Sequence, residues 1–283
     1  MAQFRLFKKL VGALVLSGLV VWQTPSPGFA AGLEEVRQRG SLRVGMSAAY
    51  KPFEYVEGNQ IVGYDPDLIN VIAEKIGVKA EMIDTNWAGV IASLYSDKFD
   101  AIISALTATP ERAEKVLFTR PYGAATFYFL TKADRTDLNA AEDFKDLVVA
   151  AEAGGASQTS VEKWVQEGKI KFKDSVFLSN PNEAYLAVQV GRADAAVDGL
   201  PGLLYFMQNN PGYKVVKGFG PDQVMVMATR KEDADLCKAI DQVIGELQTD
   251  GRLVQIQQKW LGQEMETPKA LPDYLGVKVC GGE

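Results

Sequence analysis

One short polar run carries the side chains best suited to chemistry. Ser104, Thr107 and Thr109 supply hydroxyl groups, and Pro110 suits the first turn of a helix. Hydroxyls and free backbone N–H groups at a helix start form a site for an anion. An arginine in that turn, here Arg112, can hold a carboxylate through two parallel hydrogen bonds. The run therefore predicts a carboxylate-binding site.

A purely structural interpretation of the same run also exists. In it, the apolar residues from Phe99 to Ile103 form a buried strand, Thr109 is the N-cap of a helix, and Arg112 is a solvated surface charge. Taken alone, the run does not decide between a binding site and an ordinary strand–loop–helix. The elements around it have to decide.

The composition excludes several classes of function. The 283 residues are 47% hydrophobic and 23% charged, which is globular and long enough for two domains. A net charge of −6, without a basic stripe, argues against a nucleic-acid partner. There is no histidine, so Ser–His or Cys–His catalysis and histidine-ligated metals are excluded. We expect neither a metal nor a cofactor.

The N-terminus has the pattern of an export signal. Arg5, Lys8 and Lys9 precede the apolar run Leu10–Trp22, which is short for a membrane span. Small residues favour cleavage after Ala30, so residues 1–30 are predicted to be a signal peptide. An uncleaved membrane anchor is the alternative. No cysteine lies near the cleavage point, and we therefore expect a periplasmic chain without a lipid anchor.

Export places the two cysteines in an oxidising compartment. Cys237 and Cys280 are both near the C-terminus. We expect a disulfide between them that pins the tail, Thr267–Val279, to the last helices. The sequence alone does not show the geometry of that bond.

The first third of the chain alternates strands and helices. Strands are expected at Ser41–Gly45 and Lys79–Asp84, and a helix capped by Asp65 or Asp67 should run to Lys75. A second helix is expected from Trp87 to Tyr95. The order predicts a mostly parallel sheet, whose strands end at one edge. Three loops meet there: Met46–Tyr50, Asn86-Trp87 and Ser104–Thr107.

A second α/β unit follows, and the chain then returns to the first. Its predicted elements include a helix at Leu138–Phe144 and a strand at Ala193–Val197, followed by Asp198. Crossings near Tyr122–Thr126 and Phe219–Val224 would join the two units. Two lobes on two crossings form a hinge with a cleft between them. The predicted division is residues 31–124 and 222–283 for lobe 1, the latter including the C-terminal helices, and 125–221 for lobe 2.

Several segments, in order along the chain, carry a resemblance to a known family. The segments are LRVG at 42–45, YKPFEY at 50–55, GYDPDL at 63–68, DAIISALTATPER at 100–112, FTRPY at 118–122, GRADAAVDG at 191–199 and DG…KWLG at 250–262. Each segment is weak alone, and the joint match supports the resemblance. Through them, the chain resembles the family 3 extracellular solute-binding proteins, the polar amino-acid receptors of bacterial ABC importers.

The resemblance implies a role for each matched position. Arg112 would hold the α-carboxylate of an amino acid, with N–H groups of Thr107 and Ala156 as further donors. Asp198 would receive the α-ammonium, helped by the Ala105 carbonyl and the Thr107 hydroxyl. The full set of ligand-binding residues predicted in this way is Ser47, Tyr50, Trp87, Ser104, Ala105, Thr107, Arg112, Glu152, Ala156, Ser157 and Asp198.

Some of these positions also have simpler interpretations. Tyr50 and Trp87 match the two aromatic positions that sandwich the ligand side chain, but Tyr50 could be a rim residue and Trp87 a core residue. Asp198 could cap the helix that begins near Pro201. The pair Gly154-Gly155, before Ala156, could be a turn without function.

Two positions bear on which amino acid is bound. Ser47 stands where receptors for basic or amide side chains often carry an aspartate, which argues against a strongly selective lysine or histidine pocket. Glu152 begins the second-lobe loop. If it faces the ligand, a cationic or amide tip is favoured; if it points out, the pocket is neutral. Lys51 is the nearest candidate cation for an acidic ligand. We expect a polar L-amino acid, neutral or basic.

The same scaffold admits two other functions. The resemblance extends to cyclohexadienyl dehydratases, and in such an enzyme Glu152 would be the proton donor. A sensor that reports its ligand to a membrane receptor would use the same pocket. We expect a receptor rather than an enzyme, a monomer whose partners are a small amino acid and the permease of an ABC importer.

Overall fold

The structure is a computed structural model and describes residues 32–282. The predicted signal peptide, residues 1–30, lies outside the described residues. Within residues 32–282, no helix combines the length and the apolar composition needed to cross a membrane.

The strands and helices alternate along most of the chain. The strands are β1 Ser41–Met46, β2 Ala49–Tyr50, β3 Glu54–Glu57, β4 Gln60–Val62, β5 Lys79–Asp84, β6 Ala101–Ile102, β7 Leu117–Phe118, β8 Gly123–Ala124, β9 Phe127–Lys132, β10 Val148–Glu152, β11 Asp174–Leu178, β12 Ala195–Gly199, β13 Tyr213–Lys217, β14 Val224–Met225 and β15 Ala228–Thr229. The α-helices are α1 Leu33–Arg39, α2 Tyr64–Ile76, α3 Val90–Tyr95, α4 Pro110–Ala113, α5 Ala156–Gln166, α6 Pro181–Gln189, α7 Leu200–Asn209, α8 Ala234–Asp250 and α9 Arg252–Leu261. Short 3₁₀ turns lie at Trp87–Gly89, Ala141–Phe144, Asp273–Leu275 and Val279–Gly281.

Each lobe is built on one five-stranded sheet. The first sheet has the order β5-β1-β6-β15-β7, with β1 parallel to both β5 and β6 and with β15 antiparallel to its neighbours. The second has the order β11-β10-β12-β9-β13, with β10 parallel to β11 and β12. Helix α2 buries Leu68, Ile69 and Ile72 against the first sheet because these residues recur on one helical face. This confirms the predicted two-lobe α/β fold.

The two crossings between the lobes pair with each other. Strand β8 runs antiparallel to β14, and the Ala125 N–H donates to the Gln223 carbonyl at 2.7 Å. The crossings were predicted in these two segments. The last helices, α8 and α9, return to the first lobe and pack against α2, also as predicted. A narrow two-stranded ribbon therefore carries the connection on which the lobes can rotate.

The tail is held by the predicted disulfide. Cys237 lies in α8 and is bonded to Cys280, with 5.5 Å between the two Cα atoms. Both residues are buried. The bond attaches the last turn of the described chain to the first lobe.

The start of α2 differs from the prediction that Asp65 or Asp67 caps it. Gly63 is the N-cap, with a φ of 140° that favours glycine, and a Cβ there would meet the Phe53 carbonyl oxygen at 2.2 Å. The first N–H groups of the helix are taken by carbonyls of the preceding hairpin, since Tyr64 N donates to Pro52 at 3.1 Å. The side chain of Asp65 is thus free to turn inward.

Four further elements differ from the prediction. The helix expected from Trp87 begins with a 3₁₀ turn before α3, and the one expected at Leu138–Phe144 is a single 3₁₀ turn at Ala141–Phe144. Strand β12 extends beyond Val197, so that Asp198 lies within the strand. The edge strand β13 was not anticipated, because the short YKVVK run after Gly212 carries lysines at its second and last positions.

Candidate ligand-binding site

A cavity lies between the two lobes, and all eleven predicted ligand-binding residues line it. The space between the lining atoms is about 530 Å³, solvent at the mouth included. First-lobe loops that follow β1, β5 and β6 bring Ser47, Trp87 and Ser104 to it, because parallel strands end at one edge. From the second lobe, β10 brings Glu152 and β12 brings Asp198. The remaining six are Tyr50, Ala105, Thr107, Arg112, Ala156 and Ser157.

Arg112 is held at the cleft and is not a freely solvated charge. Thr109 accepts a hydrogen bond from the Arg112 N–H at 3.3 Å, which makes it the N-cap of α4. The half-buried guanidinium donates to the Thr107 carbonyl at 2.8 Å and lies 3.5 Å from the carbonyl of Gly154 in the other lobe. Burial lowers the pKa of Arg112 to about 10, a value that keeps the side chain charged at neutral pH. Thr109 therefore caps the helix, as in the structural interpretation, but Arg112 is not the solvated surface charge of that interpretation.

The N-terminus of α5 meets Arg112 across the cleft. Gly155 is the N-cap and supplies no capping side chain, so the first N–H groups of this 11-residue helix are open to a ligand. Ala156 and Ser157 are buried there and line the cavity. A helix N-terminus and a guanidinium on opposite walls form a site for a carboxylate.

Asp198 forms the acidic end of the cavity. Its Oδ2 accepts a hydrogen bond from the Tyr50 hydroxyl at 2.8 Å and another from the Tyr185 hydroxyl. Burial raises the pKa of Asp198 to about 6, and these two phenols oppose that rise. The N-cap of α7 is Gly199, so the alternative role of Asp198 as that cap does not hold.

The lobes are closed on each other around the cavity. Tyr50 belongs to the first lobe, so its bond to Asp198 spans the cleft. Asn182 of the second lobe donates to the Ala49 carbonyl at 2.7 Å. A Cβ placed at Gly202 would lie 2.5 Å from the Tyr50 hydroxyl, which shows how closely the phenol packs against α7. Tyr50 is therefore an interlobe contact and not a rim residue.

Trp87 serves both as core and as cavity wall. It is 7% exposed and packs in an apolar cluster with Val90 and Leu94. The Arg112 guanidinium lies 5.0 Å from its ring centre, within range of a cation–π contact. Its indole Nε1 is buried without a hydrogen-bond partner among the described residues. The ring thus packs against the guanidinium of Arg112 and also lines the cavity.

Glu152 is the carboxylate without a fixed partner. It is half-buried, and within residues 32–282 no hydrogen bond holds its side chain. Burial and the charge of Asp198 raise the pKa of Glu152 to about 8, while Arg112 pulls it down. Arg112 is the single cation among the described residues that line the cavity, against the carboxyl groups of Glu54, Glu152 and Asp198. The cavity as a whole favours a ligand that brings positive charge.

Sequence reasoning missed Glu54 and Tyr185. Glu54 lines the cavity and accepts a hydrogen bond from Ser104 at 2.7 Å. Tyr185 shares the inward face of α6 with Ala184 and Val188 and reaches Asp198. A signal existed in each case: a lone acid between two aromatic residues in PFEY, and a phenol on an apolar helix face that needs a partner when buried.

The fold and the site define a class of protein. Two sheet-based lobes on a paired hinge, with opposite charges on opposite walls of the cleft, are the architecture of a ligand-binding receptor that closes around its ligand. The model of the bacterial extracellular solute-binding proteins, family 3, matches residues 42–263. The chain belongs to that family.

Curated relatives span most of the chain. It is 30% identical over 236 residues to the L-cystine-binding protein TcyJ of Escherichia coli K12, covering 82% of this chain and 87% of that protein. It is 28% identical to the arginine-binding extracellular protein ArtP of Bacillus subtilis, covering 90% of this chain and 97% of the relative.

Solved structures agree with this assignment. A mutant of ArgBP from T. maritima has a TM-score of 0.73 at 34% identity, covering 82% of this chain and 99% of that one. The ancestral amino acid-binding protein AncCDT-1, a precursor of cyclohexadienyl dehydratase, also has a TM-score of 0.73 at 34% identity. It covers 81% and 98% of the two chains.

Proposed function

We propose that the protein is the amino-acid-binding receptor of an ABC importer and that it closes on a zwitterion. The observation that carries this proposal is the division of charge: Arg112 stands on one lobe and Asp198 on the other, in one cavity. The ligand α-carboxylate is held by Arg112 and the α5 N-terminus, and the α-ammonium by Asp198. Neither lobe alone satisfies both charges, so the ligand favours the closed state.

The ligand we propose carries a cationic or amide side-chain tip, and L-arginine is the first candidate. Once Asp198 has taken the α-ammonium, Glu152 is left without a partner and is placed to accept from a guanidinium or an amide. ArtP and ArgBP support arginine by their names, and an ancestral arginine-binding protein at 33% identity has been solved with arginine and with glutamine. An acidic side chain would meet Glu152 and Glu54 with no second cation nearby.

The proposed setting follows from the family. Its members are extracellular binding proteins, so we infer a periplasmic receptor, exported through a signal peptide at residues 1–30, that presents its closed form to a membrane permease. We assign residues 31–124 and 222–283 to the lobe that carries Arg112, and residues 125–221 to the lobe that carries Asp198. The chain is proposed to act as a monomer because the cavity is completed by its own two lobes.

One observation favours a second candidate function, that of a dehydratase-like enzyme. Glu152 has the raised pKa of a proton donor, and AncCDT-1 is described as a precursor of a dehydratase. We infer a receptor and not an enzyme, since no hydrogen bond among residues 32–282 positions Glu152 for proton transfer. Incubation with prephenate or arogenate, followed by product analysis, separates the two: product formation favours the enzyme.

The proposal is tested by a thermal-shift screen of residues 31–283 against the twenty L-amino acids. A ligand at 100 times its dissociation constant should stabilise the protein by about 2.7 kcal/mol. L-arginine and amides are expected to raise the melting temperature, while D-arginine and L-glutamate serve as controls and leave it unchanged. If no amino acid shifts the melting temperature, the receptor proposal is wrong.

A further inference from the structure

Two buried carboxyl groups accept hydrogen bonds from the loop that follows β6. The Ser104 hydroxyl donates to Glu54 Oε1 at 2.7 Å, and the Ala105 N–H donates to Asp65 Oδ2 at 2.7 Å. Ala105 has a φ of 41°, the left-handed region that a non-glycine residue adopts only when its surroundings hold it there. This loop continues into Thr107 and presents both residues to the cavity.

The same two carboxyl groups have oxygens that lack a donor. Glu54 Oε2 and Asp65 Oδ1 are both buried without a hydrogen-bond partner among the described residues. The two side chains are 1% and 0% exposed, and they are neighbours, because the charge of Asp65 acts on Glu54. A buried oxygen that lacks a donor costs free energy, and two adjacent buried carboxylates repel. A single proton between the groups removes both costs.

Among residues 32–282, no cation lies beside the pair that would allow both groups to be charged. The hydroxyl of Tyr122 donates to Asp65 at 3.0 Å, and Tyr64 packs beside Tyr122; both phenols are neutral. Glu152 lines the same cavity from the other lobe and, when it is ionised, also raises the pKa of Glu54. Burial first, and then the neighbouring charge of Asp65, raises the pKa of Glu54 well above its usual range.

We propose that Glu54 and Asp65 form a carboxyl pair that shares one proton, and that this pair positions the Ser104–Thr107 loop for ligand binding. Asp65 is the carboxylate, since it already accepts hydrogen bonds from Ala105 and Tyr122. Glu54 is the acid, which accepts from Ser104 and donates to Asp65. The inference rests on the proposed function for the role of the loop, but the shared proton is a property of the ligand-free protein.

The pair affects binding through the position of the loop, and not by contacting the α-carboxylate or the α-ammonium of the ligand. When the proton is lost at alkaline pH, two adjacent carboxylates repel each other, and the acceptors that hold Ser104 and Ala105 separate. Ligand affinity should then fall. A glutamine at position 54 keeps the shape, accepts from Ser104, donates to Asp65 and has no proton to lose.

The test is carboxyl ¹³C NMR of ligand-free protein labelled in its glutamate side chains. We expect the Glu54 signal at the position of a protonated acid at pH 7, and its loss in Glu54→Gln assigns it. Glu152→Gln identifies the one other glutamate in the cavity with a raised pKa. In Asp65→Asn the amide donates to Glu54, so the Glu54 signal should move to the carboxylate position at pH 7. Asp67→Asn, on the same helix but bonded to Trp260, is the control and should leave it unchanged.

Binding supplies the second readout. Calorimetry with L-arginine should show that Glu54→Gln loses less of its own pH 7 affinity above pH 8 than the wild type does. A Glu54 signal already at the carboxylate position at pH 7 overturns the proposal, as does an Asp65→Asn variant that leaves the signal unmoved. If Glu54→Gln does not fold, the response of the signal to Asp65→Asn still decides. If L-arginine does not bind while the protonated signal is present, the assignment of arginine as the ligand fails and the shared proton stands.

Discussion

The affinity for a cationic amino acid should rise as the pH is raised from 6 to 8, and Glu152 is the cause. Its pKa of about 8 in the closed, ligand-free cavity means that the carboxyl group is mostly protonated there at neutral pH. A cationic side chain binds the ionised form, so the proton must leave on binding. Protons thus compete with the ligand, and the affinity is lowest where Glu152 is most fully protonated.

The magnitude follows from the distance between the pKa and the working pH. Ionising Glu152 at pH 7, one pH unit below a pKa of about 8, costs about 1.4 kcal/mol, and at pH 6 about 2.7 kcal/mol. Between pH 6 and pH 8 the affinity for L-arginine should therefore rise roughly 50-fold through this one group. About 0.9 of a proton should be released for each L-arginine bound at pH 7.

Calorimetry at pH 6, 7 and 8, in two buffers with different enthalpies of ionisation, measures both quantities. The Glu152→Gln variant should lose the proton release at pH 7 and most of the rise in affinity between pH 6 and pH 8. Any change of affinity with pH that remains near pH 6 belongs to Asp198, whose pKa is about 6. L-glutamine, which is neutral, should bind the wild type with little change over this range. The reasoning is refuted if the variant keeps the full dependence, or if L-glutamine follows the same slope as L-arginine.

Three further predictions concern the cleft, the hinge and the tail. Asp198→Asn should weaken amino-acid binding by about 2 kcal/mol or more, because the amide opposes the α-ammonium without a charge; calorimetry that finds an affinity within threefold of the wild type removes Asp198 from the site. Small-angle scattering should show a smaller radius of gyration in saturating ligand, since the paired crossings β8 and β14 allow the lobes to rotate; no change would contradict closure. Replacing Cys237 and Cys280 by serine should cost up to about 4 kcal/mol of unfolding free energy for a loop of 43 residues, and urea titrations that coincide with the wild type would show that the bond does not stabilise the fold.

The parts of the site that the sequence predicted depend on local pattern. Arg112 follows a proline and a capping threonine, which place it in the first turn of a helix, and Asp198 follows a run of small apolar residues, which place it in the C-terminal part of a strand. The alternation of strands and helices places Trp87 and Ser104 at the same sheet edge. The eleven residues chosen from such local signals and from the family resemblance all line one cavity.

The parts that the sequence did not predict depend on contacts between distant segments. The direction of Glu152 is set by how closely the lobes meet, and no local pattern encodes that. The cap of α2 was misassigned because carbonyls of the preceding hairpin, and not a side chain, satisfy its first N–H groups. Asp65 was thus available for a different role, as the partner of Glu54. Its inward position becomes visible only when the hairpin, α2 and the Ser104 loop are packed together.

The central claim is that Arg112 holds the carboxylate of an amino acid in the cleft. Calorimetry of Arg112→Ala with L-arginine, at pH 8, tests it most directly. Arg252→Ala is the matched control, because Arg252 is an exposed arginine paired with Asp250 far from the cavity. We predict that Arg112→Ala loses about 3 kcal/mol or more, which is over a hundredfold in affinity, while melting cooperatively like the wild type. Arg252→Ala should bind as the wild type does. An Arg112→Ala variant that binds within threefold of the wild type would contradict the account.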